Sequence, residues 1–232
     1  MSQNYPLLPP DEELDSWQLC MKDAIIQIQG NAKPYQRGSH SGCTEHIYYQ
    51  GSRVGYSKGY SYCCGATYEA FIKAWIAWNG EEKESDNMTI EQAKEMRAHF
   101  FVYNDKDQYG NFKYSRGAAG GIEWLAQQPG LNQWLQVETT EDPKEVRFGD
   151  FIQMQFVRDP MSSGHSVIGL GTGTKPANGS DIVLCWSSNN YYDTSWEYSR
   201  KQPIGNGWDY YFMNKVRDGF KRKFHIARII GD

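Results

Sequence analysis

The chain contains no run of about eighteen apolar residues, the length that a membrane-spanning helix needs, so no bilayer span is expected. Its opening stretch, Met1 to Pro10, has neither a basic start nor an apolar centre, so it does not read as a secretory signal peptide. The expected location is cytoplasmic, or outside by a signal-independent route. Excess charge is also missing. A formal net charge of −4 argues against a nucleic acid or an anionic membrane surface as a partner held by electrostatics. The short basic stretch from Lys215 to Lys223 reads as solvated surface. Cysteine is scarce and odd in number, with five residues scattered at 20, 43, 63, 64 and 185, which does not fit a disulfide-stapled scaffold and points to reduced thiols. The Cys and His residues lack the paired spacing of a zinc site, and no metal or other cofactor is expected. Internal repeats and low-complexity tails are absent as well. Aromatic residues, by contrast, are abundant: eight Trp and sixteen Tyr can fill a core or line a groove for sugars or peptides.

At 232 residues, the length suits one globular domain with a substantial core. From Pro10 to Gly30, Leu14, Trp17, Met21, Ile25 and Ile28 recur at helical spacing behind an acidic first turn, predicting an amphipathic helix. Residues 31 to 60 read as loops, with a small hairpin around Ile47-Tyr48-Tyr49. A helix is expected from the Cys63-Cys64 pair to Asn79-Gly80. Another should open on the capping box Thr89-Ile90-Glu91-Gln92 and run to about Phe101. A third, from Ala118 to Gln128, is weakened by Gly120 and Gly121.

The second half changes character. Asp150 to Val157 alternates apolar and polar residues, as a half-buried antiparallel strand would. Ser166 to Gly171, Asp181 to Trp186 and a closing strand from Lys223 to Ile230 continue the pattern. Turns are expected at Asp159-Pro160, Gly171 to Gly173 and Asn178-Gly179. Helices first and strands later predict an α+β domain, with the helices packed on one side of an antiparallel sheet.

The chemistry is expected at the cysteine pair. A thiol at a helix N-terminus meets unpaired N–H groups and the positive end of the helix dipole, which stabilise a thiolate and then the oxyanion formed when sulfur attacks a carbonyl. Cysteine is also among the most buried residue types, so packing is the competing explanation. A nucleophilic thiol needs a base. Of the five histidines, His165 stands where a strand is expected to begin, while His40, His46 and His99 read as structural and His225 as a reserve base or orienter.

The order of these signals resembles the NlpC family of papain-like cysteine peptidases. The family's Asp-Cys-Ser-Gly helix start is matched by Tyr62-Cys63-Cys64-Gly65, and its Gly-Asp-Leu-Val-Phe-Phe by Gly149-Asp150-Phe151-Ile152-Gln153-Met154. Its His-Val-Gly-Ile-Tyr-Leu-Gly strand is matched by His165-Ser166-Val167-Ile168-Gly169-Leu170-Gly171. The resemblance implies a papain-like core over 60–190 with a helical insertion at about 81–136. A helix-and-loop extension over 1–59 precedes it, and a strand extension over 191–232 follows. It also implies that Cys63 is the nucleophile, with Cys64 as runner-up, and that His165 is the base. The family's Asp is Tyr62 here, and its third residue, often a His, has no His counterpart. Asn189 is expected to orient His165, with Ser187 and Asn190 behind it. The implied activity is hydrolysis of peptide or amide bonds, on substrates such as bacterial peptidoglycan fragments. The alternative is a catalytically inactive carbohydrate- or peptide-binding module on the same fold.

Overall fold

The computed structural model of the chain describes residues 8–36, 42–80, 87–100, 117–158, 161–174, 179–189, 205–213 and 221–231. The fold is α+β: among the described residues, four α-helices lie against a six-stranded antiparallel sheet.

Helix α1 (Ser16–Gly30) starts later than its apolar periodicity predicts. Asp11–Glu13 form a separate 3-10 turn and Leu14 is extended, because Asp15 sets up a capping box. The Asp15 carboxylate accepts the Gln18 N–H at 2.7 Å, and the Gln18 side chain accepts the Asp15 N–H at 3.2 Å. Trp17, Met21, Ala24, Ile25 and Ile28 then face the core. Helix α2 (Cys63–Asn79) spans the range read from sequence, but its first ten residues are buried on every side. A helix so enclosed is a central element rather than an amphipathic surface one. It packs against α1 on one side and against the sheet on the other. Helix α3 (Ile90–Phe100) opens on the expected capping box, with Thr89 and Gln92 exchanging reciprocal bonds of 2.7 and 3.1 Å. Helix α4 (Ala118–Ala126) carries Gly121 against the Phe100 ring, where a Cβ would lie 2.6 Å from ring carbons, so the glycine allows α3 and α4 to approach closely.

Strands β1 (Ile47–Tyr49) and β2 (Ser52–Gly55) form the small hairpin, turned by Gln50 and Gly51, both at positive φ. The main sheet comprises β3 (Val137–Thr140), β4 (Phe151–Arg158), β5 (Met161–Thr174), β6 (Asp181–Asn189), β7 (Gly205–Phe212) and β8 (Lys221–Ile229), in the order β3-β8-β4-β5-β6-β7. Neither β3 nor β7 is legible in the sequence. The closing strand β8 is an interior strand, inserted between β3 and β4.

Two expectations for the strands are corrected. Phe151 to Gln155 is buried on both faces rather than one, because the Gln153 amide finds internal partners: it accepts from Ser166 Oγ at 2.6 Å and donates to the Met154 carbonyl at 3.0 Å. The expected turn at Gly171 to Gly173 is strand, with a register shift between Gly169 and Gly171 and Gly171 at φ +125°. The turn read at Asp159-Pro160 lies outside the described residues.

One sheet face, with Phe151, Ile168, Trp186, Ala227 and Ile229, joins the helices in a core that also contains Trp17, Phe71 and Trp75. The opposite face carries a second apolar cluster that includes Ile152, Met154, Val167, Cys185, Tyr211 and Ile226.

Candidate active site

The site is built around the first turn of α2. Tyr62, the residue before the helix, has extended backbone and no side-chain cap. Its N–H donates to the Gly42 carbonyl at 3.0 Å, and its carbonyl accepts the Ala66 N–H at 2.8 Å. The segment from Gly42 to Thr44 therefore lies directly on the helix start. Only glycine fits at position 65, since a Cβ there would stand 2.2 Å from the Gly42 carbonyl carbon. Glu69 holds this segment down from further along α2, accepting the Thr44 N–H at 2.5 Å and the Thr44 hydroxyl at 2.8 Å.

Cys63 begins the helix with 2% of its surface exposed. Burial alone would push its thiol up. Hydrogen bonding from Cys64, the charge and hydrogen bond of His165 and the Ser166 N–H outweigh that, and the thiol is held well below its ordinary value. The ladder between β5 and β6 runs from Thr174 opposite Asp181 to Ile168 opposite Trp186. Just past its end, the Ser166 N–H serves the Cys63 sulfur. Cys20 and Cys43 behave in the opposite way, because burial raises both thiols.

Cys64 lies 3.8 Å from Cys63, sulfur to sulfur, and 3.6 Å from Ser166 Oγ. The Ser166 hydroxyl hydrogen is committed to Gln153, so its oxygen can accept the Cys64 S–H. When Cys63 is a thiolate, that charge competes for the same proton.

His165 is 8% exposed. It lies inside β5 opposite Met154, rather than at the strand's beginning, because β4 and β5 pair continuously as far as Arg158 and Met161. Its Nε2 is 3.2 Å from Ser187 Oγ, and its ring is 5.7 Å from that of Tyr211. Cys63, Cys64 and His165 are thus brought together. Asn189 is the last residue of β6, opposite Gly205, and its side chain lies outside the described residues, as does Asn190.

The remaining candidates lie elsewhere. His225 pairs with Glu123 of α4 at 2.9 Å, His99 stacks on Trp124 at 4.7 Å, and His46 Nδ1 accepts the Ser57 N–H at 3.2 Å. His40 lies outside the described residues. Asp150, from the Gly-Asp signal, is structural: its carboxylate meets the Arg228 guanidinium at 2.7 and 2.8 Å and accepts the Arg147 N–H at 2.8 Å. Tyr62, where the resembled family has Asp, packs against Tyr35 with ring centroids 5.5 Å apart. Sequence reasoning missed Ser166 and placed Ser187 second. Both are polar residues beside apolar strand segments, which was the available signal.

Among the described residues, no group of three or more His, Cys, Asp or Glu is placed to hold a metal ion, and no helix is long and apolar enough to cross a membrane. No protein-family model matches the chain, and no curated protein matches it.

Proposed function

We propose that the protein is a cysteine-dependent hydrolase of peptide or amide bonds, with Cys63 as nucleophile and His165 as general acid and base. The observation that carries this reading is the buried Cys63 thiol at the first residue of α2, beside Cys64, His165 and the Ser166 N–H, whose hydrogen bonds and charge together hold it low against burial. The Cys63 thiolate attacks the amide carbonyl, and N–H groups of the first helical turn receive the oxyanion. The His165 imidazolium protonates the departing amine, leaving a thioester on Cys63. His165 then takes a proton from water as the water adds to the thioester, and collapse of that adduct releases the acid and expels the Cys63 thiolate, restoring the thiolate–imidazolium pair. The papain-like, NlpC-type resemblance supports peptide stems of bacterial peptidoglycan as the first substrates to try.

The second reading, an inactive carbohydrate- or peptide-binding module, draws on the low exposure of both Cys63 and His165. The two readings separate in per-cysteine labelling with iodoacetamide. Cys63 should react fast at about pH 6.5, well ahead of Cys20 and Cys43, and Cys63→Ala should abolish both that labelling and the release of new amines from muropeptides. Uniformly slow labelling that rises only near about pH 8.5 would favour the binding module. Activity that survives Cys63→Ala but is lost in Cys64→Ala would move the nucleophile by one residue.

A further inference from the structure

We infer that Ser187 is the residue that orients His165, taking the third position of a Cys-His-Ser arrangement. The inference rests on the Cys63–His165 reading above. Ser187 is a buried residue of β6, and its Oγ has three polar neighbours: the Ser166 carbonyl at 3.1 Å, the Ser188 carbonyl at 3.2 Å and His165 Nε2 at 3.2 Å. Carbonyl oxygens only accept, so the one hydroxyl hydrogen is drawn to them. The Oγ lone pairs are then left to accept a proton from His165 Nε2.

That fixes three properties of the histidine. Neutral His165 carries its hydrogen on Nε2, so Nδ1 is the nitrogen that exchanges a proton with Cys63. The Nε2 bond to Ser187 opposes rotation of the ring. The imidazolium formed beside a thiolate keeps its second N–H satisfied in a buried place, where an unsatisfied donor on a charged ring would be costly. Among the described residues, Cys64 is the titratable group beside Cys63 apart from His165, and Tyr211 lies beside His165. Serine is a neutral partner, so it orients the ring without adding the charge that an Asp would bring.

The test compares the pH profile of Cys63 alkylation in wild type, Ser187→Ala, Ser187→Thr and Asn189→Ala. Ser187→Ala should slow labelling about tenfold at about pH 6.5 and raise the midpoint by about one unit, the size expected for losing one hydrogen bond to a charged ring. Ser187→Thr, which keeps the hydroxyl and suits a strand, should restore the rate to within about twofold. A profile unchanged in Ser187→Ala, with wild-type Cys63 still fast, would overturn the Ser187 assignment alone. So would a loss confined to Asn189→Ala. Slow Cys63 labelling in wild type would instead bring down the Cys–His reading itself.

A second measurement does not depend on the thiol or on the stability of Ser187→Ala. In 15N-histidine-labelled Cys63→Ala, the neutral form of His165 should carry its proton on Nε2, and that proton should exchange slowly with water. A proton on Nδ1, or an Nε2 proton lost at once to exchange, would overturn the assignment.

Discussion

Glu69 stands on α2 behind Cys63 with none of its surface exposed, yet it carries a carboxyl group. Burial raises its pKa from 4.5 to about 7, against the pull of the Thr44 N–H and hydroxyl bonds. Between those two values the folded protein keeps a proton that the unfolded chain has lost. The associated stability is therefore complete below 4.5 and disappears as pH rises through about 7. A shift of this size corresponds to about 3 kcal/mol. Glutamine can accept from the Thr44 N–H and donate to the Thr44 hydroxyl oxygen without ever charging. Glu69→Gln should therefore match wild type in urea unfolding at about pH 5 and exceed it by about 1 to 3 kcal/mol at about pH 8. Parallel pH dependences in the two proteins would show that the wild-type carboxyl does not carry the proton.

At the scale of elements, the placement of Cys63 depends on how closely α2 approaches Gly42. An alanine Cβ at position 65 would meet the Gly42 carbonyl carbon at 2.2 Å and its oxygen at 2.4 Å, and both are backbone atoms that cannot swing aside. Gly65→Ala should cost about 1 to 3 kcal/mol in urea unfolding through overpacking, and should slow Cys63 alkylation by moving the helix start away from His165. Unchanged stability together with unchanged labelling would mean that the two segments are not in this contact. This dependence also explains which elements were legible in the sequence. Helices α2 and α3 announce themselves through local signals, namely the break before Cys63, Gly80 at the far end and the Thr89–Gln92 box. The start of α1 was misread because the chemistry at Asp15 stops the helix short of its apolar period. Strand β3 offers no alternation, since Glu138 and Thr139 are both exposed, and β7 is recognisable only by its pairing with β6. The order of Cys63, Asp150 and His165 pointed to one site. The histidine's position inside β5 is set by the β4 ladder and its serine partner lies on β6, so both depend on pairings that adjacent residues do not encode.

For the molecule as a whole, β8 comes last in the chain but lies between β3 and β4, so the sheet holding His165 is completed only by the final residues. The lock is Arg228. Its guanidinium meets both oxygens of the buried Asp150 at 2.7 and 2.8 Å and donates to the Glu145 carbonyl at 2.8 Å, tying β8 to the segment that opens β4. A buried pair of this kind contributes little beyond what a well-packed apolar pair would, but removing one partner strands the other charge. Arg228→Ala should therefore lower stability by about 3 to 5 kcal/mol, and Asp150→Ala/Arg228→Ala should recover part of the loss, because no charge is then left unpaired. Urea unfolding followed by tryptophan fluorescence reads the whole core, since Trp17, Trp75 and Trp186 share one apolar cluster. A double variant as unstable as the sum of the singles would show that the two residues act independently. Iodoacetamide labelling of Cys63 in the same samples adds the link to the proposed function: fast labelling should be lost over the same urea range as the fluorescence transition, since the proposed base His165 sits in a sheet that β8 completes.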